Sequence, residues 1–142
     1  MTVEHPFAVA IENADDGAYF DLLAPEAVLH SPVLHSPFVG RPTVAPLLAL
    51  LRACFSNVRF TDELHGEGKI ALFFGADISG RQAEGAQILR LDGAGRIVDL
   101  TVFLRPIRAG MALSELMGPK IQKLEDGTYG LRPAVSGPDV VL

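Results

Sequence analysis

The chain has 142 residues, 49% hydrophobic and 20% charged, which fits one domain able to bury about 68–70% of its unfolded surface without help from a metal or disulfide. Its 12 basic and 17 acidic residues leave a net charge of −5. With no cluster of Lys and Arg, that balance argues against a nucleic-acid or anionic-membrane surface.

Val3, Phe7, Ala10, Ile11 and Ala14 recur at helical spacing, predicting a first helix over about Glu4 to Ala14. Asp15-Asp16-Gly17 breaks it, and either Asp can cap a short second helix marked by Tyr19, Leu22 and Leu23 and closed before Pro25. Glu26 to Ser31 reads as a strand ended by Pro32. Leu29-His30-Ser31-Pro32 is then echoed by Leu34-His35-Ser36-Pro37. Pro42 suits the first turn of a third helix, whose apolar face is Val44, Leu47, Leu48, Leu51 and Phe55. Pro46 falls near the fifth helical position, where its missing N–H predicts a bend or a delayed start.

The remainder alternates as strand. Val58 to His65, Lys69 to Ile78, Gln82 to Leu91 and Arg96 to Arg105 are separated by short turns such as Ser79-Gly80 and Asp92-Gly93-Ala94-Gly95, the pattern of an antiparallel meander. Both faces of several strands are apolar, so both need cover. Helices supply one side, and a second copy of the chain is the expected cover for the other. Ile107, Met111, Leu116, Met117 and Ile121 give a last helix interrupted at Gly118-Pro119. One domain is expected over 1–125, followed by an extended or mobile tail over 126–142. The fold class is α+β, with three to four helices packed on one face of a curved antiparallel sheet.

Cys54 is the only cysteine, so no intramolecular disulfide is possible, and Ala53 and Phe55 beside it predict a buried, inert thiol. The N-terminus has no basic region leading into an apolar run, and no stretch approaches the ~20 apolar residues of a membrane span. A cytoplasmic protein without membrane partner is the expectation.

Leu22-Leu23-Ala24-Pro25-Glu26-Ala27-Val28 leading to Ser31-Pro32, Gly40-Arg41 before the third helix, and Leu89 to Val98 resemble the nuclear transport factor 2-like superfamily. Within it the chain is similar to the SnoaL-like polyketide cyclase and ketosteroid isomerase group, over about residues 4 to 117. The resemblance implies a cone of bent sheet with a helix-capped internal pocket and a homodimer through the outer sheet face. It also places an aspartate base, a tyrosine oxyanion donor and a protonated aspartic acid at positions that read Ser31, Phe7 and Gln87 here. Proton transfer beside a carbonyl needs all three roles, and these residues do not supply them. The Arg and Asp of the limonene-epoxide-hydrolase variant fall on Gly85 and Gln87, which excludes that chemistry as well.

Parity and resemblance together give an inward set of Phe60, Leu72, Phe74, Ala76, Leu89, Leu100, Val102 and Leu104, joined by Phe7, Ser31, Asp62 and Gln87. An apolar cavity with few polar groups is the usual constitution of a small-molecule site. The expected ligand is hydrophobic and polyketide-, steroid- or terpene-like. Asp62 interrupts the apolar run of Phe60 and Leu64, so it is either a functional inward carboxylate or the mark of a bulged, wet strand. His30 faces outward by alternation, toward a dimer contact, unless a bulge brings it to the ligand. His35 lies in a loop that either overhangs the pocket mouth or is simply exposed. The two histidines match no metal-ligand spacing, so neither metal nor cofactor is expected. Three readings stay open: a binder with proton-transfer or hydration chemistry through Asp62, a non-catalytic association or carrier module, and an enzyme using His30 or His35.

Overall fold

The computed structural model describes residues 3–133. Helices α1 (Pro6–Glu12) and α2 (Asp16–Leu22) lead into strand β1 (Leu23–His30). His5 caps α1, its Nδ1 accepting a hydrogen bond from the Phe7 amide at 3.1 Å. β1 begins at Leu23, three residues earlier than the sequence pattern indicates. Pro25 is tolerated inside it because the pairing with β6 is irregular between Leu23 and Val28, so no ladder donor is missed.

After the short β2 (Phe38–Val39), helix α3 runs unbroken from Arg41 to Cys54. Gly40 caps it at φ +94°, a conformation that favours glycine, while its amide donates to the Ala27 carbonyl at 2.7 Å. Pro46 does not break the helix. It lies on the exposed face near the N-terminus, where water can satisfy the carbonyl that its absent N–H leaves free.

Strands β3 (Ser56–Gly66), β4 (Lys69–Ile78), β5 (Arg81–Leu91) and β6 (Ile97–Arg105) form the expected meander. Helix α4 (Ile107–Met117) follows. A single 3-10 turn at Gly118–Lys120 then leads to β7 (Ile121–Lys123) and β8 (Tyr129–Leu131). The eight-stranded sheet has the order β3-β4-β5-β6-β1-β2-β8-β7, with β1 parallel to β6 and β8 parallel to β2. It is curved and unclosed, and the fold class is α+β. Residues 126–131, expected as part of an extended tail, include β8, and the tail residues 134–142 lie outside the described residues.

The helices cover the concave face. α3 buries Val44, Leu47, Leu48 and Leu51, and α4 buries Ala109, Leu113 and Met117. Beneath them lie Phe60, Leu72, Phe74, Ala76, Leu89, Leu100 and Val102, all buried. Arg41 ties this end together, donating to the Leu23 carbonyl and stacking its guanidinium 4.1 Å from the centre of the Phe20 ring.

Candidate functional site

Eleven residues surround the gap left inside the cone: Ile11 from α1, a row from α3 and the following turn, Val58 and Phe60 from β3, Phe74, Gln87 and Val102 from the central strands, and Leu113 from α4. Its volume is about 20 Å³, room for one water molecule. Only two of the lining residues are polar, Arg52 and Gln87. Gln87 is 4% exposed, and its Oε1 has no hydrogen-bond partner among the described residues. An unpaired buried acceptor costs about 1–3 kcal/mol, so this amide is a defect in the core unless something occupies the gap.

Arg52 lies in the last turn of α3. Its Nε donates to the Ile11 carbonyl and its Nη1 to the Phe55 carbonyl at 3.1 Å, so two bonds fix the plane of the guanidinium. Its neighbour Glu12 accepts from the Phe60 amide at 2.7 Å, holding the strand where it bulges. Sequence reasoning missed Arg52. The signal was its spacing: four residues beyond Leu48 and three before Phe55, it continues the inward row of α3.

The bulge decides the position of Asp62. Phe60 pairs with Phe74, and Asp62 then pairs with Phe73, so the register shifts by one between them. Phe60 stays inward, while Asp62 turns to the exposed outer face, as the bulged-strand alternative required. There it borders an open groove of about 400 Å³ with Thr61, Phe73, Glu84, Phe103 and Arg105. Glu84 and Arg105 are ion-paired across it.

His30 is also on the outer face, its Nε2 3.4 Å from Asp99 Oδ2, with Arg90 Nη2 3.6 Å from the same oxygen. His35 is exposed in the loop. Ser31 is half-buried, and its Oγ accepts from the amides of Val33 and Leu34 at 3.1 and 3.0 Å, so the hydroxyl builds the turn after β1. Phe7 is fully buried, its ring centre 6.3 Å from that of Tyr19. Leu104 is half-buried at the end of β6. The structure therefore brings Phe60, Phe74, Gln87 and Val102 together at one gap, and keeps Asp62, His30 and His35 away from it.

Tyr19 is wholly buried, and its hydroxyl has no hydrogen-bond partner among the described residues. Burial pushes its pKa up to about 12; Asp16 nearby adds to the rise without reaching hydrogen-bond geometry, and Arg52 opposes it. Burial also raises the Cys54 thiol, which lies 3.6 Å from Met117 Sδ. Among the described residues no group of three or more His, Cys, Asp or Glu side chains is placed to hold a metal ion. No helix among them is long and apolar enough to cross a membrane.

No protein-family model matches the sequence, and no curated protein matches it. Solved structures do. A steroid delta-isomerase from Pseudomonas aeruginosa is 32% identical with a TM-score of 0.76, over 80% of this chain and 84% of its own. The chain belongs to the nuclear transport factor 2-like superfamily. An uncharacterized bacterial protein with a cystatin-like fold from Silicibacter pomeroyi is 26% identical, with a TM-score of 0.75 over 81% of this chain and 84% of its own. A protein with a ketosteroid isomerase-like fold from Catenulispora acidiphila, solved with trimethylamine, is 19% identical, with a TM-score of 0.56 over 68% and 80%. The superfamily's cone is recognisable here, with α4 closing it: Leu113 reaches the same gap as Gln87.

Proposed function

We propose that this protein is a homodimeric binder of a small hydrophobic molecule, polyketide-, steroid- or terpene-like in character, held inside the cone against Gln87. The observation that carries the reading is the unpaired Gln87 Oε1 in an otherwise apolar interior. A ligand hydroxyl would pair it and recover the cost of burying it alone. The similarity to a steroid delta-isomerase supports the location and not the reaction. Ser31 spends its oxygen on two backbone amides, Phe7 has no donor, and the gap is lined by one amide and one guanidinium, with no base. The reading is therefore binding without turnover.

A gap of about 20 Å³ does not admit such a molecule unless a wall moves, and α4 is the wall we assign. It contributes three buried side chains, Ala109, Leu113 and Met117, and is bounded by Pro106 and by Gly118-Pro119. The dimer would form through the outer sheet face. Phe73 and Phe103 are exposed there among charges of both signs, the self-complementary composition that a two-fold contact needs.

Thermal unfolding against a panel of steroids, aromatic polyketides and monoterpenoids tests the reading. A ligand at 100 times its dissociation constant stabilises the native state by ~2.7 kcal/mol, a shift of several degrees for a chain of this size. Binding should strengthen in a Leu113→Ala variant, which enlarges the gap. No shift in either protein would overturn it. The second reading, an association module with a filled core, is favoured by the small size of the gap. It predicts that no ligand shifts the melting temperature, while Phe103→Glu separates the dimer.

A further inference from the structure

We infer that the ligand of the cone carries a carboxylate, and that Arg52 receives it. The inference rests on the interior-binding reading above and adds the chemical class of the ligand.

Arg52 is half-buried and permanently charged, yet it has no ion-pair partner among the described residues. The ion pairs among the described residues are His30–Asp99, His65–Glu63, Arg90–Asp99 and Arg105–Glu84. None involves Arg52. Glu12, next to the Ile11 carbonyl that Arg52 holds, gives its carboxylate to the Phe60 amide instead. A charge taken partly out of water is costly unless it is paired, and two carbonyl oxygens offer dipoles but no opposite charge.

The guanidinium has five N–H donors, and the bonds to Ile11 and Phe55 use two. Those two bonds orient the planar fork, which removes much of the entropy cost of a bidentate contact. The remaining donors belong to a side chain that lines the same gap as Gln87, where the other nine residues are apolar. A cation at the edge, an apolar body and an amide match an amphiphile with an anionic head. A wholly neutral hydrocarbon or terpene would leave the Arg52 charge as it is.

The test uses a matched pair, 3-phenylpropanoate and 3-phenylpropan-1-ol, which differ only in the head group. Calorimetric titration of the full chain should find the acid bound about tenfold tighter than the alcohol, the usual advantage of a charge-assisted bond. Its affinity should fall with added salt, and the alcohol's should not. Arg52→Gln should bring the ratio close to one by weakening the acid alone. Gln87→Leu should keep the acid tighter than the alcohol, because each probe spends its one head group at Arg52 and has no second group for the Gln87 oxygen. The salt comparison on the unaltered chain decides the matter if Arg52→Gln fails to fold. An alcohol bound as tightly as the acid, with no salt dependence, overturns the role of Arg52 and leaves the interior site standing. Neither probe binding, to the parent chain or to Leu113→Ala, overturns the interior site and this inference together.

Discussion

Phe73 and Phe74 are neighbours on β4, and they belong to two different surfaces. Phe74 is 4% exposed, packed between Phe55 and Phe60, with ring centres 6.0 and 5.7 Å away. Phe73 is 37% exposed on the outer face, near Phe103 at 55%. The same alternating strands thus produce an inner face that is finished except for a gap the size of a water, and an outer face that is not. The contrast separates two kinds of task. The inner face keeps one amide and one guanidinium in an apolar setting, the composition on which the proposed small-molecule site rests. The outer face keeps exposed aromatics among balanced charges, the composition on which the proposed dimer contact rests.

The comparison breaks most visibly at Phe74. Phe74→Ala should cost about 3–5 kcal/mol in denaturant unfolding, the range for emptying a buried aromatic site. Phe73→Ala should change the stability of the folded monomer by less than about 0.5 kcal/mol, yet weaken the proposed dimer. Equal costs at the two positions would contradict the assignment of faces. Gly85→Ala comes next. A Cβ there would lie 2.5 Å from the Phe103 carbonyl oxygen and 2.5 Å from the Phe74 ring, and the backbone atom cannot step aside. A loss of about 1–3 kcal/mol is expected by the same unfolding assay. Gln87→Leu has the opposite sign. Removing the unpaired acceptor should raise stability by about 1 kcal/mol in the absence of ligand. A loss of that size would mean that the amide is already satisfied.

The smallest effect is in pH. Burial lowers the pKa of His5 below its usual 6.5, outweighing the nearby Glu63 carboxylate, so the folded state favours the neutral ring that caps α1. Its contribution is therefore complete above 6.5 and is lost as pH falls through the lowered folded value. Melting temperature should decline over that window, and His5→Asn, which keeps a capping acceptor, should flatten it. The Glu63 carboxylate has its own window. Its bond with His65, together with the amides of His5 and Glu4, holds its pKa below 4.5, so its contribution is lost only in stronger acid.

Much of the fold could be read from the sequence because the long strands alternate with a period of two over most of their length, and the turns between them carry glycine. The inward placement of Phe60, Phe74, Gln87 and Val102 followed from that period together with the family resemblance. Asp62 shows where the method stops. Parity counted from Phe60 sends it inward, but one extra residue at Thr61 reverses every position after it. The acceptor that stabilises the bulge, Glu12, is distant in sequence. Arg52 was hidden for a different reason: a lone arginine at the end of an amphipathic helix reads as solvated until the nearby Glu12 carboxylate proves to be engaged by the Phe60 amide. The size of the gap was beyond sequence reasoning, since it depends on how Leu113 and three phenylalanines meet.

The most direct test of a ligand site inside the cone is a nitrogen-15 titration with 3-phenylpropanoate that follows the side-chain amide of Gln87. The account predicts that this amide and the backbone amides of Val102 and Leu113 shift together with saturation, while those of Phe73 and Phe103 stay in place. Shifts confined to Phe73, Phe103 and their neighbours, with Gln87 unmoved, would put the ligand on the outer face and contradict the account.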